Sequence, residues 1–338
     1  MPDRIHSLKD LKTALRVSAL SEGVKLCQVG RHAEAVSLFD TLKDFSTYDT
    51  VSKSFIRIAY YSHGKTSQCK GNFKEALRCF ARAKETCPDD MLLTERIKLL
   101  ASYREYRNDQ NIAEFRKHFG LGLTSGKYGR YEYPFSEIAK EKGILKQLKT
   151  TFRLESVDSI ESIGTYRIQA QGRHLLSYKI REYKGKHPFS SANPSLALPF
   201  AWLLADFIRS STKWIGVIDV IVPSPSNPEN YVVRGFVPSL LIGRKLSACL
   251  AVPYRELFSV NPMPCRFRDM SYSKAKEQIR YKEKGHAKIV TGNHVLLLDD
   301  VVTTGRTLTL LGDLLKTDGA IAVYCITLAK TGGQSEGS

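Results

Sequence analysis

The sequence has no pair of cysteines separated by two residues: its seven cysteines stand at 27, 69, 79, 87, 249, 265 and 325. That spacing indicates neither a zinc ribbon nor a thioredoxin-type redox site, and an odd, scattered set suits a reducing compartment. No stretch approaches the apolar length needed to cross a bilayer, and the amino end, Met1-Pro2-Asp3-Arg4-Ile5-His6, lacks the apolar core of a secretory signal. The expected location is cytoplasmic, with no membrane partner. Acidic side chains are scarce too, 34 against 51 Lys and Arg, which leaves a formal charge of +17. The excess is not concentrated, since residues 1–150 hold 27 basic and 18 acidic side chains and residues 151–338 hold 24 and 16. Charge this diffuse, with no basic-aromatic groove, attracts polyanions in general without marking a dedicated nucleic-acid domain.

What is present is length and hydrophobic content for two domains, 338 residues at 42% hydrophobic. The first hundred residues repeat. Gly23, Gly30, Glu34, Ala35 and Phe39 return as Gly64, Gly71, Glu75, Ala76 and Phe80. Small residues at those places let paired helices approach and turn sharply, and the two units resemble the tetratricopeptide (TPR) helix–turn–helix repeat, which implies a concave surface for a protein partner. Gly30 and Gly71 lie 41 apart, where about 34 is the norm, so an insertion near Phe45–Lys53 is expected. Pro88 closes the second unit, and apolar spacing predicts a helix over Met91–Arg107. An ordinary helical hairpin without a partner role is the alternative.

Residues 120–150, rich in Gly, Tyr and Lys, read as a linker. The expected division is a helical domain 1–119, the linker, an α/β domain 151–331 and a flexible tail 332–338. Strands are expected at Thr165–Gln169, Val217–Val222, Tyr254–Val260, Val295–Leu298 and Ala320–Leu328. Helices are expected at Leu175–Tyr183, Leu198–Ile208, Pro238–Leu250 and Arg306–Lys316. Short apolar strands alternating with helices predict a doubly wound, mostly parallel sheet.

The most informative stretch is Val295-Leu-Leu-Leu-Asp299-Asp300-Val-Val-Thr303-Thr304-Gly305-Arg306-Thr307. Four apolar residues make a buried strand whose carboxyl end, where open α/β sheets bind ligands, delivers two adjacent carboxylates. The following Thr-Thr-Gly turn into a helix offers N–H groups and hydroxyls to a phosphate. Phosphate on the loop and hydroxyls on the acids describe a ribose 5-phosphate. The string resembles the phosphoribosyl-pyrophosphate (PRPP) signature of type I phosphoribosyltransferases. That resemblance implies the type I fold, with Asp299 and Asp300 on the ribose hydroxyls. Thr303, Thr304, Gly305, Arg306 and Thr307 would take the 5′-phosphate. Mg²⁺ would be carried on the pyrophosphate, touching Asp299 or Asp300 at most.

Weaker segments accompany it. Val217–Val222 runs into Pro223-Ser224-Pro225-Ser226-Asn227, where the family places its pyrophosphate loop, so Ser224 and Ser226 are candidates. Arg234-Gly235-Phe236 resembles an element of the ComF-like subgroup, which makes Arg234 a third candidate, although a solvated Arg would look the same. Eight basic residues between Arg266 and Lys288 face three acidic ones; in the family this segment is a hood over PRPP, and Arg280 or Lys282 is its candidate cation.

Departures are equally informative. Val237 stands where ComF-like chains have Asn, and Thr303 stands where purine-salvage members place a catalytic Asp, which disfavours guanine or hypoxanthine as acceptor. Gly64-Lys65-Thr66 is no P-loop, because Ala59 occupies the required upstream glycine. The His residues lack ligand spacing. The expectation is a Mg²⁺-dependent phosphoribosyltransferase acting on PRPP or a nucleotide with an unidentified acceptor. Its alternatives are a non-catalytic PRPP sensor acting through the repeats and a ComF-like protein linked to DNA handling.

Overall fold

The computed structural model describes residues 8–42, 44–102, 157–166, 175–186, 188–210, 216–262, 270–282 and 284–331. The chain divides into two compact units, residues 1–102 with 213–217, and residues 103–212 with 218–338. The expected linker 120–150 and the tail 332–338 lie outside the described residues.

The first unit is all helical: α1 (Leu8–Gln28), α2 (His32–Phe39), α3 (Thr50–Cys69), α4 (Phe73–Thr86) and α5 (Met91–Ala101). Three of these start on side-chain caps. Asp49 accepts from the N–H groups of Val51 and Ser52, Asn72 from Glu75 and Asp90 from Leu93, satisfying donors that a helix start leaves open. The sequence echo is a structural echo. Gly30 and Gly71 turn the chain at φ +76° and +77°. A Cβ on Gly23 would lie 2.3 Å from the Phe39 ring, and one on Gly64 2.7 Å from the Phe80 ring, so each copy seats a buried phenylalanine on a glycine of the preceding helix. The extra residues between the copies form the loop from Asp40 to Asp49. Phe45 anchors it, packing 5.9 Å from the Tyr60 ring and beneath the Arg82 guanidinium at 4.1 Å. The helix expected to reach Arg107 is described to Ala101, with Ser102 capping it; residues 103–107 lie outside the described set.

The second unit is α/β. Its elements are β1 (Ser159–Ser162), β2 (Thr165–Tyr166), α6 (Leu175–Lys184), α7 (Ala197–Ser210), β3 (Val220–Pro223), α8 (Pro228–Arg234) and α9 (Pro238–Leu250). Then follow β4 (Phe258–Val260), α10 (Tyr272–Glu277), β5 (Ile279–Tyr281), α11 (Ala287–Val290), β6 (His294–Val302), α12 (Arg306–Thr317) and β7 (Ala322–Thr331). The main sheet runs β1-β7-β6-β3 with β2 also on β7, and every pair is parallel. Val295–Leu298 of β6 are fully buried, as a central strand covered on both faces requires.

Two expected strands are corrected. The run from Val217 begins as a strand only at Val220. The run from Tyr254 splits: Tyr254 bridges Ile221 in parallel fashion beside β3, whereas Phe258–Val260 pairs antiparallel with β5 in a separate two-stranded sheet. The basic segment expected to act as a hood contains β5, with Ile279 buried and Arg280 exposed in strand alternation.

From β3 the chain moves outward to Tyr254, and β6 and β7 then build on the opposite side of β3. The β3–β6 boundary is therefore where strand order reverses, and the crevice outside carboxyl ends at such a point is where open α/β sheets take ligands. At the amino ends of the same two strands, buried Asp219 accepts the N–H of His294 at 2.8 Å and faces its Nδ1 at 3.1 Å, which pins the register.

Candidate functional site

The site is built where β3 and β6 end. Ser224 follows β3 and is 2% exposed. Its N–H donates to Leu298 O at 2.7 Å, its carbonyl accepts from Ser239 Oγ at 2.6 Å, and its Oγ donates to Asp299 Oδ1 at 2.7 Å. Asp299 Oδ1 also accepts the N–H of Asp300 at 2.9 Å. Asp300 uses both oxygens: Oδ1 accepts from Val301 N–H at 2.6 Å, and Oδ2 lies 2.7 Å from Lys184 Nζ at the end of α6. Burial, and then the charge of Asp300, raise the Asp299 carboxyl well above the usual carboxylate range; the Ser224 hydroxyl, the Asp300 N–H and Lys184 oppose them only in part. The same acids push up the buried neighbours: burial and Asp300 raise Tyr183, and burial and Asp299 raise Cys325. An expensive concentration of negative charge is thus held at the switch point by one hydroxyl, backbone N–H groups and one ammonium.

Beyond the acids, Thr303, Thr304 and Gly305 form the turn into α12. Gly305 is the N-cap residue at φ +76°, with no side chain capping the helix. A residue with a Cβ resists that left-handed conformation. The first N–H groups of α12 have no intrahelical partner, and the hydroxyls of Thr303, Thr304 and Thr307 bond to no described residue. Such an arrangement can serve as an anion cradle next to a carboxylate pair. Arg306 sends its guanidinium elsewhere, to the carbonyl of Met270, so its contribution to the cradle is its backbone N–H.

Of the remaining sequence candidates, the structure brings Ser224 into the site as a support for Asp299, with its hydroxyl already engaged. Ser226 is half-exposed in the turn before α8, and Arg234 ends α8 half-exposed, without an ion pair to a described residue. Arg280 lies on the exposed face of the small sheet, and Lys282 follows β5, also exposed. Arg280 Nε donates to Asn261 Oδ1 at 3.0 Å, and Lys282 Nζ lies 2.9 Å from Glu256 Oε2. Arg266 and Arg268 fall outside the described residues.

Sequence reasoning passed over Lys184 as a site residue. The available signal was Tyr183-Lys184-Gly185, an aromatic and a glycine on either side of one cation just past the expected helix Leu175–Tyr183.

In the helical unit, ligand-type atoms of His63, Glu75 and Cys79 lie within 4.8 Å of one another. Arg78 donates to both Glu75 oxygens at 2.8 and 2.9 Å and is the main cause of that carboxyl falling to about 2. Burial, with Glu75, pushes the Cys79 thiol up to about 12. A neutral thiol beside an occupied carboxylate is a helix–helix hydrogen-bond cluster. Among the described residues no helix is long and apolar enough to cross a membrane.

Comparison with known proteins adds one domain assignment. Residues 265–337 match the family model described as a phosphoribosyl transferase domain, a stretch that holds β5, β6, the acid pair, the cradle, α12 and β7. No curated protein matches the chain. Among solved structures, the chain is similar to a hypoxanthine phosphoribosyltransferase from Staphylococcus aureus at 10% identity and a TM-score of 0.26. It is also similar to the glutamic acid mutant from an analysis of an invariant aspartic acid in HPRTs, at 20% identity and a TM-score of 0.27. Each alignment covers 43% of this chain and 72% of the other.

Proposed function

We propose that the α/β unit binds PRPP and transfers its ribose 5-phosphate at C1 to an acceptor nucleophile. The observation that carries this is the continuity of acid pair and anion cradle: Asp299 and Asp300 lie in the last four residues of β6, and five residues after Asp300, Gly305 opens α12 with an uncapped N-terminus. The acids suit the ribose 2′- and 3′-hydroxyls, which donate to them. The N–H groups of α12 and the Thr303, Thr304 and Thr307 hydroxyls suit the 5′-phosphate. Held at both ends, the sugar presents C1 toward the mouth of the crevice, where Ser226 and Arg234 are the residues to meet pyrophosphate. The C1–O bond breaks with its electron pair leaving on pyrophosphate, the acceptor lone pair closes the new bond to C1, and the acceptor sheds a proton. Orientation and electrostatic stabilisation of the departing group supply the rate.

Mg²⁺ fits the donor set in one way. Hard oxygen ligands suit it, but Lys184 occupies Asp300 Oδ2 at 2.7 Å, and an ammonium there opposes a second cation. Asp299 Oδ2, with no bond to a described residue, is the protein oxygen that would help hold a cation carried on pyrophosphate; that cation would neutralise the leaving group.

The acceptor class is constrained by Thr303, an exposed residue that cannot serve as a general base. The same feature favours the second reading, a PRPP sensor that acts through a protein partner of the TPR-like helices. Calorimetric titration of PRPP with Mg²⁺ into the wild type and into the Asp299→Asn/Asp300→Asn variant tests the site. Binding is expected for the wild type and lost in the variant; a wild type silent to PRPP and to ribose 5-phosphate refutes the proposal. Pyrophosphate release across a panel of bases and amines then separates enzyme from sensor.

A further inference from the structure

We propose that Lys184 is a positioning residue of this site, fixing the Asp300 carboxylate so that the acid pair is set for a vicinal diol before any ligand arrives. This rests on the function proposed above and adds a member to the site that the acid–threonine string does not contain.

The placement of Lys184 is over-determined. Immediately before it, Tyr183 is fully buried, donates its hydroxyl to Pro238 O at 2.9 Å, and packs its ring against Phe200 and Phe236 at 5.4 and 5.0 Å. Immediately after it, Gly185 turns at φ +59°, and a Cβ there would lie 2.7 Å from Ala192 N. Glu182 ties the same helix end to Asn193, accepting Nδ2 at 2.7 Å on its carboxylate and the Asn193 N–H at 3.1 Å on its carbonyl. A lysine held this way has little freedom at its Cα, and its ammonium meets Asp300 with the two side chains only 12% and 14% exposed. Exposed ion pairs contribute little because water competes for them; one this enclosed does not face that competition, and removing one partner leaves the other charge uncompensated.

The consequence for the acid pair is geometric. Val301 N–H holds one oxygen of Asp300 and Lys184 the other, so the carboxylate cannot rotate. Asp299 is fixed through Oδ1 alone, by Ser224 and the Asp300 N–H, which leaves its second oxygen for a ligand. Without Lys184, Asp300 can turn about its last torsion and the pair loses the fixed spacing that two neighbouring hydroxyls require. The ammonium also offsets the negative charge of Asp300 beside the buried Asp299.

The test uses the full chain, PRPP with Mg²⁺ and ribose 5-phosphate alone as probes, and four variants: Lys184→Met, Lys184→Arg, Asp300→Asn, and Asp300→Asn combined with Lys184→Met. Lys184→Met keeps the aliphatic stem and is expected to weaken binding of both probes about tenfold or more. Lys184→Arg is expected to restore affinity to within about threefold of the wild type. In the Asp300→Asn background, Lys184→Met is expected to cost less than about twofold. A Lys184→Met protein that binds like the wild type overturns the proposal. So does an equal loss in both backgrounds, because a residue that only supports the fold would not depend on Asp300. If the wild type binds neither probe, the functional reading falls, and the thermal midpoints of the same four variants still decide the pairing: non-additive shifts support it and additive shifts overturn it.

Discussion

Replacing Asp299 by Asn separates what this residue does for the fold from what it does for a ligand, because the two effects have opposite signs. An Asn side-chain carbonyl can still accept from Ser224 Oγ and the Asp300 N–H, the two bonds that hold Oδ1, so the substitution removes mainly charge. Burial and Asp300 raise the Asp299 carboxyl in the folded protein. An acid raised on folding stabilises the native state only while it is protonated there, and that contribution fades as pH rises through its folded-state value. The wild type therefore loses stability relative to the variant between mildly acidic and alkaline pH. Two unit charges on adjacent residues, at an effective dielectric near 20, repel by about 2–4 kcal/mol. Lys184 and the two hydrogen bonds offset part of this, leaving about 1–2 kcal/mol in favour of Asn at pH 8. For a unit of this size that is a rise of about 3–6 °C in its thermal midpoint, shrinking at pH 5.5, while affinity for PRPP falls at least about a hundredfold. Scanning calorimetry at both pH values, paired with titration calorimetry, measures both. A variant less stable than the wild type at pH 8, or a difference independent of pH, refutes the account of the acid pair as a strained, functional concentration of charge.

Three further outcomes follow from particular contacts. Gly305→Ala places a Cβ at φ +76°; it is expected to cost about 1–2 kcal/mol by chemical denaturation and to weaken binding of ribose 5-phosphate, since the cradle must shift to relieve the strain. Gly64→Ala would push a methyl to 2.7 Å from the buried Phe80 ring; unfolding of the helical unit, followed by far-ultraviolet circular dichroism, is expected about 1–3 kcal/mol earlier, with PRPP binding unaffected. Asp219→Ala leaves the His294 N–H without its acceptor; a loss of about 1–3 kcal/mol is expected, with faster amide hydrogen exchange at His294 and its strand neighbours.

The elements that the sequence displays most plainly are those whose causes are local. Pro238–Leu250 is a helix with the expected bounds because Pro238 can occupy its first position and Ala251 leaves it in a left-handed conformation. The glycine–phenylalanine spacing of the repeats is legible because each pair is a contact between successive helices. The Tyr254–Val260 run shows the converse. Its apolar pattern predicts one strand, yet the choice between the main sheet and the two-stranded one depends on β5, which lies beyond a long intervening segment and has only three residues. Periodicity reports that a residue is buried; it does not report against which partner.

The same distinction divides the site. Asp299 through Thr307 are consecutive, and two acids near the end of a strand before a glycine turn have few uses, so chemistry and position are read together. Ser224 and Lys184 reach the acids only because β3 lies against β6 and α6 ends above them, and neither neighbour is marked in the residues around the acids. A concentration of negative charge at the end of a buried strand nevertheless demands compensation, and that demand is visible in the sequence even where its answer is not. Asp299-Asp300 requires a cation and a donor from elsewhere in the fold. Lys184, flanked by an anchored Tyr183 and a turn at Gly185, supplies the first, and the hydroxyl at the carboxyl end of the neighbouring strand supplies the second. Arg280 and Lys282, although more numerous in charge around them, are spent on Asn261 and Glu256 across a small sheet. Count of charges identified the hood as the cationic region; the constraint on a single side chain identifies the cation that meets the acids.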